Sequence, residues 1–172
     1  MNSFFRRQLT DYVEYHRDPW NCAMHVFGIV FLFLAAILPL SLLSFTLFGV
    51  EISAAVLAVL PVLFYWFLLD LALGAGIFCG AVALLSLAAW IVSHVTITGL
   101  WSLTAVLLVV GVASQIIGHQ VFERRKPSMA DHPAHLLLGP MFVMAKLFIA
   151  LGFRHDLARI IQPPQDSLSY SQ

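Results

Sequence analysis

Long apolar stretches, rather than an alternation of apolar and polar positions, dominate this chain. Between Asp18 and Glu123 the charged side chains are only Glu51 and Asp70. Helices that face water need a charged or polar face, so a stretch this poor in charge predicts helices embedded in a membrane. A bilayer core requires about 20 apolar residues per helix. On that basis we predict membrane spans near residues 22–46, 53–72, 77–93 and 100–118.

Short polar or glycine-containing joints separate these predicted spans, at residues 48–51, 74–76 and 94–99. Connections this short make sequential helices antiparallel neighbours. The sequence therefore predicts an all-α fold, a multi-pass membrane helical bundle with about four transmembrane helices.

A fifth apolar segment, residues 135–152, differs from the others. Gly139-Pro140 should bend or break it, and Lys146 lies in its middle. We interpret it as a re-entrant or interfacial C-terminal helix that lies against the bundle. One integral membrane domain is expected over residues 1–160, followed by a disordered tail over residues 161–172.

Composition supports a membrane protein and argues against a nucleic-acid-binding one. Hydrophobic residues make up 60%, charged residues 10%, and the mean hydropathy is +0.90. The formal net charge is zero, which excludes nucleic acid as the main partner. Basic residues cluster near residues 6–17 and 124–126. The positive-inside rule then puts the N-terminus on the cytoplasmic side, of an inner membrane in a bacterium or of the endoplasmic reticulum in a eukaryote.

The first group of candidate functional residues surrounds a predicted helix start. Asp18 and Pro19 are typical of an N-cap and the first helical position. Asn21 and His25 are four residues apart and share a helix face. His16 precedes the helix, and on one unbroken helix it would point away from His25. The break at Pro19 should let both imidazoles reach one point.

The second group lies at the end of the last predicted span. Gln115, His119 and Glu123 form a stripe at i, i+4 and i+8. Imidazole and carboxylate on one face suit a metal or a proton relay. An ordinary polar helix end at the membrane interface explains the same residues about equally well.

Further candidates are less specific. His132 and His135 flank Pro133 and could be ligands, groups that support ligands, or headgroup contacts, and Asp70 could end a helix or orient an imidazole. Nitrogen and oxygen donors on one membrane face favour non-haem Fe(II) ahead of Zn(II) or Mn(II). Two other classes remain open: a histidine-ligated metal or haem protein for electron transfer, and a non-catalytic bundle that binds lipid.

Two sequence blocks, EYHRDPWNCAMHVFG at 14–28 and GHQVFERRKP at 118–127, resemble the membrane 2-hydroxy fatty acid dioxygenase family first recognised in fungi. The chain departs from the family pattern at several positions. Ser128 and Met129 stand where Ala-Leu is expected, and Lys146 stands where an acidic residue is usual. These departures leave the histidine motifs intact.

The resemblance implies an integral membrane enzyme with an Fe(II) cofactor. Its substrates would be a long-chain 2-hydroxy fatty acid and O2, and its products CO2, water and the fatty acid one carbon shorter. The implied iron ligands and catalytic residues are His16, His25 and His119, with Glu123 as a fourth ligand or as the acceptor that orients an imidazole. Residues that would supply extra ligands or supporting contacts are Asn21, Asp70, Gln115, His132 and His135. Those that would attract the substrate carboxylate are Arg124, Arg125 and Lys126.

Overall fold

The computed structural model describes residues 2–124 and 133–161 of the chain. It begins with helix α1 (Ser3–Glu14), which lies ahead of the predicted spans. Asn2 caps this helix by accepting a hydrogen bond from the Phe5 N–H at 2.6 Å. One face of α1 is buried at Phe5, Leu9, Tyr12 and Val13, a helical spacing that turns its apolar stripe to the protein core.

Helix α2 (Pro19–Leu40) confirms the predicted start, because Asp18 accepts hydrogen bonds from the N–H groups of Trp20 and Asn21. Its predicted end at residue 46 is wrong. The chain leaves the helix after Leu40 and forms an antiparallel hairpin of strands β1 (Ser44–Leu47) and β2 (Val50–Ser53). The hairpin was missed because its residues are as apolar as a helix end.

Helix α3 (Ala54–Leu69) and helix α4 (Leu71–His94) meet at Asp70, which caps α4 by accepting from the Leu73 N–H. The joint predicted at residues 74–76 is therefore wrong, and these glycines lie inside α4. They serve close packing: a Cβ added at Gly74 would lie 2.9 Å from Phe67 Cδ1, and one at Gly76 would lie 2.7 Å from Met144 Sδ.

Helix α5 (Ile97–Ile117) continues directly into a π-helix (Gly118–Glu123). After the undescribed residues 125–132, a 3₁₀ turn (Pro133–Leu137) leads into helix α6 (Leu138–Ala150) and helix α7 (His155–Ile161).

The expected break at Gly139-Pro140 is wrong, because both residues lie in the first turn of α6, where proline is tolerated. The break falls after α6, with a bend of 119°. The predicted tail is not tested, since residues 162–172 lie outside the described residues and Ile161 ends α7.

Within the described residues, three helices are long and apolar enough to cross a membrane: α2, α4, and α5 with its π-helical extension. The bent pair of α6 and α7 is a broken span or a re-entrant loop and would be a fourth. Helix α3 is apolar but has only 16 residues. The protein is thus an integral membrane helical bundle, as the sequence predicts.

Helices α2 and α5 approach each other at glycines. A Cβ added at Gly28 would lie 2.5 Å from Gln115 Nε2, and one at Gly111 would lie 2.8 Å from Leu32 Cγ. Small residues let helix backbones come close within a membrane. This close packing brings the start of α2 against the π-helix, where the histidines of both helices lie.

Candidate active site

Three buried imidazoles meet at one end of the bundle. His16, His25 and His119 each offer a ring nitrogen, and these nitrogens all lie within 4.8 Å of one another. The ring centroids are 4.4 Å apart for His16 and His25, 5.0 Å for His16 and His119, and 4.7 Å for His25 and His119. We call these residues the three-histidine group.

Each imidazole comes from a different local structure. His16 lies in the break between α1 and α2, His25 in the second turn of α2, and His119 in the π-helix. The expectation that the break before Pro19 lets His16 and His25 meet is confirmed by their ring contact. π-Helical turns are rare and are frequent at functional sites, and this one carries His119.

Backbone carbonyls orient two of the rings. Nδ1 of His16 lies 2.9 Å from the Tyr12 carbonyl oxygen, and Nδ1 of His25 lies 3.0 Å from that of Asn21. A carbonyl only accepts, so Nδ1 donates in each pair and Nε2 keeps its lone pair. This is the arrangement in which histidines hold metals.

Two ring nitrogens of the three-histidine group lack a hydrogen-bond partner within the described part of the chain. Among the described residues, Nε2 of His16 and Nδ1 of His119 are buried without a hydrogen bond. Burial, and then the neighbouring His25, lower the pKa of His16 to about 2, so this imidazole is neutral at physiological pH. Buried imidazole nitrogens that have a lone pair and no hydrogen-bond partner are suited to coordinate a transition-metal ion.

Glu123 lies beside the three-histidine group but is not part of it. Its carboxylate accepts hydrogen bonds from the backbone N–H groups of Arg17 and Asp18 at 3.1 and 2.9 Å, and from Asn21 Nδ2 at 3.0 Å. These bonds fasten the π-helix to the start of α2, where carboxylates interact favourably with helix N–H groups. A role of Glu123 as a metal ligand stays a prediction, without a contact here that supports it.

Two of the other candidates lie beside the three-histidine group. Gln115 donates from Nε2 to the His25 carbonyl oxygen at 3.4 Å. His135 is buried, and its ring lies 5.5 Å from that of Tyr12. Both side chains line the same cavity as the three histidines.

The remaining candidates are placed elsewhere. Asp70 caps α4 and pairs with Arg154 at 2.7 Å, and its predicted role beside an imidazole stays a prediction. Arg124 is exposed just after the π-helix. The predicted positions of Arg125, Lys126 and His132 lie outside the described residues.

Tyr12 is the site residue that sequence reasoning missed. Its ring stacks on His16, with centroids 4.0 Å apart and planes 7° from parallel, and its carbonyl orients the same imidazole. Phe142 lies 5.2 Å from Tyr12 and 5.6 Å from His16. The spacing of Tyr12 and His16, four residues apart along one helical face, was the available signal.

The three-histidine group opens onto a cavity of about 210 Å³. Its lining combines the polar side chains named above with apolar ones such as Ile29 and Leu32. Such a mixture, mainly apolar with a few convergent polar groups, is typical of a site for a small or amphipathic ligand.

Comparison with known proteins assigns this site to a family. A family model described as 2-hydroxy-palmitic acid dioxygenase Mpo1-like matches residues 2–151, a range that contains the whole three-histidine group. The chain belongs to this Mpo1-like family. The family resemblance and the expectation of a dioxygenase-class enzyme are thereby confirmed.

A characterised relative supports the Mpo1-like assignment. The 2-hydroxy-palmitic acid dioxygenase MPO1 of Saccharomyces cerevisiae is 35% identical over 161 residues, which cover 91% of this chain and 87% of the yeast protein. No solved structure matches the chain. Membership favours an enzyme over the electron-transfer and lipid-binding alternatives.

Proposed function

We propose that this protein is an Fe(II)-dependent dioxygenase of long-chain 2-hydroxy fatty acids. The observation that carries the proposal is the buried three-histidine group in a chain of the Mpo1-like family. The 2-hydroxy acid and O2 would give CO2, water and the fatty acid one carbon shorter. This equation balances in atoms and electrons, so no separate reductant is needed.

The donors present fit iron. His16, His25 and His119 would hold Fe(II) through neutral ring nitrogens, a donor type that suits this metal. When bound, iron would supply the redox chemistry that lets O2 react with an organic substrate. The protein would supply orientation of the rings and exclusion of water, because all three imidazoles are buried.

Tyr12 is suited to hold the substrate's polar end. Burial is the main cause that raises the pKa of Tyr12, so its phenol keeps the proton and acts as a donor. The side chain lines the cavity beside His16, where a carboxylate could accept its hydrogen bond. Gln115 and His135 line the same cavity and would add polar contacts.

Basic residues would bring the acid to the site. Arg124 is exposed just after the π-helix, and Arg125 and Lys126 follow it in the sequence. Cations at a membrane interface attract anionic headgroups and carboxylates. We place this end of the bundle on the cytoplasmic side, following the positive-inside rule.

The reaction is tested with a long-chain 2-hydroxy acid that carries ¹³C only in its carboxyl group. We expect labelled CO2, an unlabelled acid one carbon shorter, and one O2 consumed for each CO2 released. His25→Ala should abolish turnover because it removes one imidazole of the group. His94→Ala is the matched control, since His94 is exposed and, among the described residues, its hydrogen bonds go to Ser93 and Trp90 of its own helix. Label retained in the organic product, or equal turnover by the His25 variant, would contradict the proposal.

A further inference from the structure

A second cavity, of about 280 Å³, lies between α2, α3, α4 and α6. We call it the apolar groove. Among the described residues, its walls are apolar side chains and one glycine. They include Ile37 and Leu40, the lining residues farthest along α2, with Ala58 of α3 and Gly80 and Leu84 of α4. The one polar atom of its lining tryptophan, Trp66 Nε1, is occupied by a hydrogen bond to the Leu137 carbonyl oxygen at 2.7 Å. The groove therefore offers no polar group to a ligand.

The apolar groove adjoins the histidine cavity at Ile29, the residue that lines both. His25 lies one turn before Ile29 on α2, and Leu40 at the far wall lies about 16 Å beyond it at the usual helical rise. The start of α6 closes this junction from the other side, because Gly139 lines the histidine cavity and Pro140 lines the groove. The two cavities thus meet at one side chain, Ile29, which packs against Gly139 of α6.

We propose that the apolar groove binds the acyl chain of the substrate, with Ile29 at the boundary between the acid's polar end and its tail. This proposal rests on the proposed function, because the three-histidine group defines where the carboxyl end lies. A 2-hydroxy fatty acid is polar at one end and apolar over the rest, which matches the order of the two chambers.

The groove selects by length and shape rather than by hydrophobicity. An acyl chain that leaves the bilayer for the groove exchanges one apolar environment for another, so little free energy comes from the transfer itself. What the groove fixes is how far the chain extends when its carboxyl end reaches the imidazoles. Narrowing the groove should therefore slow turnover of long chains that extend through it and spare chains too short to enter it.

Gly80→Leu tests this filter. A Cβ added at Gly80 meets nothing within 4 Å, so a side chain can enter the groove without moving the backbone. We expect turnover of the longest 2-hydroxy acids to fall at least tenfold, while turnover of short-chain ones is unchanged. The control is Ala83→Leu, on the same helix but exposed and outside the groove lining, which should keep the wild-type profile. An unchanged chain-length profile for Gly80→Leu would overturn the proposal.

Binding is read separately from turnover with a 2-hydroxy acid that carries a photoreactive group at the end of its chain. We expect crosslinks in the peptides that contain Ala58 and Gly80, competed by excess unlabelled 2-hydroxy acid and not by phospholipid. Equal competition by phospholipid would make the groove a bilayer-lipid site and overturn the proposal, as would crosslinks confined to other peptides. Crosslinks at these peptides in a protein that forms no shortened acid would support the groove and overturn the proposed reaction.

Discussion

At the scale of the residue, Gly118 shows how closely the site is packed. A Cβ added there would lie 2.5 Å from Asn21 Oδ1, and Asn21 is fully buried. The Asn21 side chain donates from Nδ2 to the Glu123 carboxylate, and the Asn21 backbone carbonyl oxygen accepts from His25 Nδ1. Asn21 therefore connects α2 with the π-helix. A displaced Asn21 would shift both His25 and the neighbouring His119.

We therefore predict that Gly118→Ala lowers metal affinity and turnover by about 10- to 100-fold, the range seen when groups that orient metal ligands are altered. Metal titration of the purified variant, with a parallel turnover assay, measures this. Ala83→Gly is the control, because Ala83 is exposed on α4 and lines neither cavity. Wild-type metal affinity in Gly118→Ala would show that this close contact does not position the histidines.

The residues of the site were partly predictable from the sequence. The sequence singles out His16, His25 and His119 because ionisable side chains near a membrane are energetically costly and are usually functional. The contacts of Glu123 were not predictable, because they depend on backbone N–H groups of Arg17 and Asp18 that lie more than 100 positions away in the chain. Tyr12 was missed because an aromatic on an amphipathic helix resembles ordinary core.

At the scale of the element, hydropathy predicted that helices exist but not where they end. The start of α2 carries a local signal, Asp18 followed by Pro19, and was predicted correctly. Its end has none, because Phe45 and Leu47 of the hairpin are as apolar as the helix before them. Gly74 was interpreted as part of a turn, but it lies where two helices touch. Close packing of helices depends on tertiary structure that hydropathy does not report.

The bent C-terminal pair is held by an ion pair. Arg154, at the bend between α6 and α7, donates to both oxygens of Asp70 at 2.7 and 3.0 Å, and also to Asp156. Burial opposes ionisation of Asp70, but hydrogen bonds from Arg154 and the Leu73 N–H outweigh it and lower the pKa of that carboxyl. The pair links α7 to the junction of α3 and α4.

The sign of the pH dependence follows from that lowered pKa. Asp70 stabilises the fold above its unfolded pKa of about 3.9, and this contribution is lost as the pH falls below that value. Arg154→Met should cost about 3 kcal/mol at neutral pH, because it removes the cation that pairs with a buried carboxylate. In that variant the loss of stability at low pH should be smaller, since less of the stability at neutral pH then depends on ionised Asp70.

Melting temperature in detergent as a function of pH measures both effects. Asp11→Asn is the control, because Asp11 is exposed on α1 and its loss should leave the profile unchanged. A variant lacking Arg154 that melts like the wild type at neutral pH would show that the ion pair does not hold α7 in place.

At the scale of the whole molecule, the bundle separates two ends. The three-histidine group and Arg124 lie at one end, and the hairpin between α2 and α3 lies at the other end of α2. Phe48, at the tip of the hairpin, is 97% exposed. The two ends can therefore be probed independently for the side of the membrane that they face.

We predict that a membrane-impermeant thiol reagent labels Phe48→Cys in intact cells and labels Thr10→Cys only after the membrane is opened. Thr10 is exposed on α1, at the site end. Both substitutions are made with Cys79→Ser, since Cys79 is exposed, and Cys22 is buried. The reverse labelling pattern would overturn the cytoplasmic orientation and leave the site itself unaffected.

The central claim is that the three-histidine group holds the iron on which the reaction depends. The most direct measurement uses wild type and His119→Ala, each purified without O2 in detergent, with metal content and Fe(II)-dependent product formation determined on the same sample. We predict about one iron for each wild-type chain, loss of product on chelation and its recovery on adding Fe(II), with neither iron nor product in His119→Ala. Wild-type iron content and turnover in His119→Ala would contradict the claim.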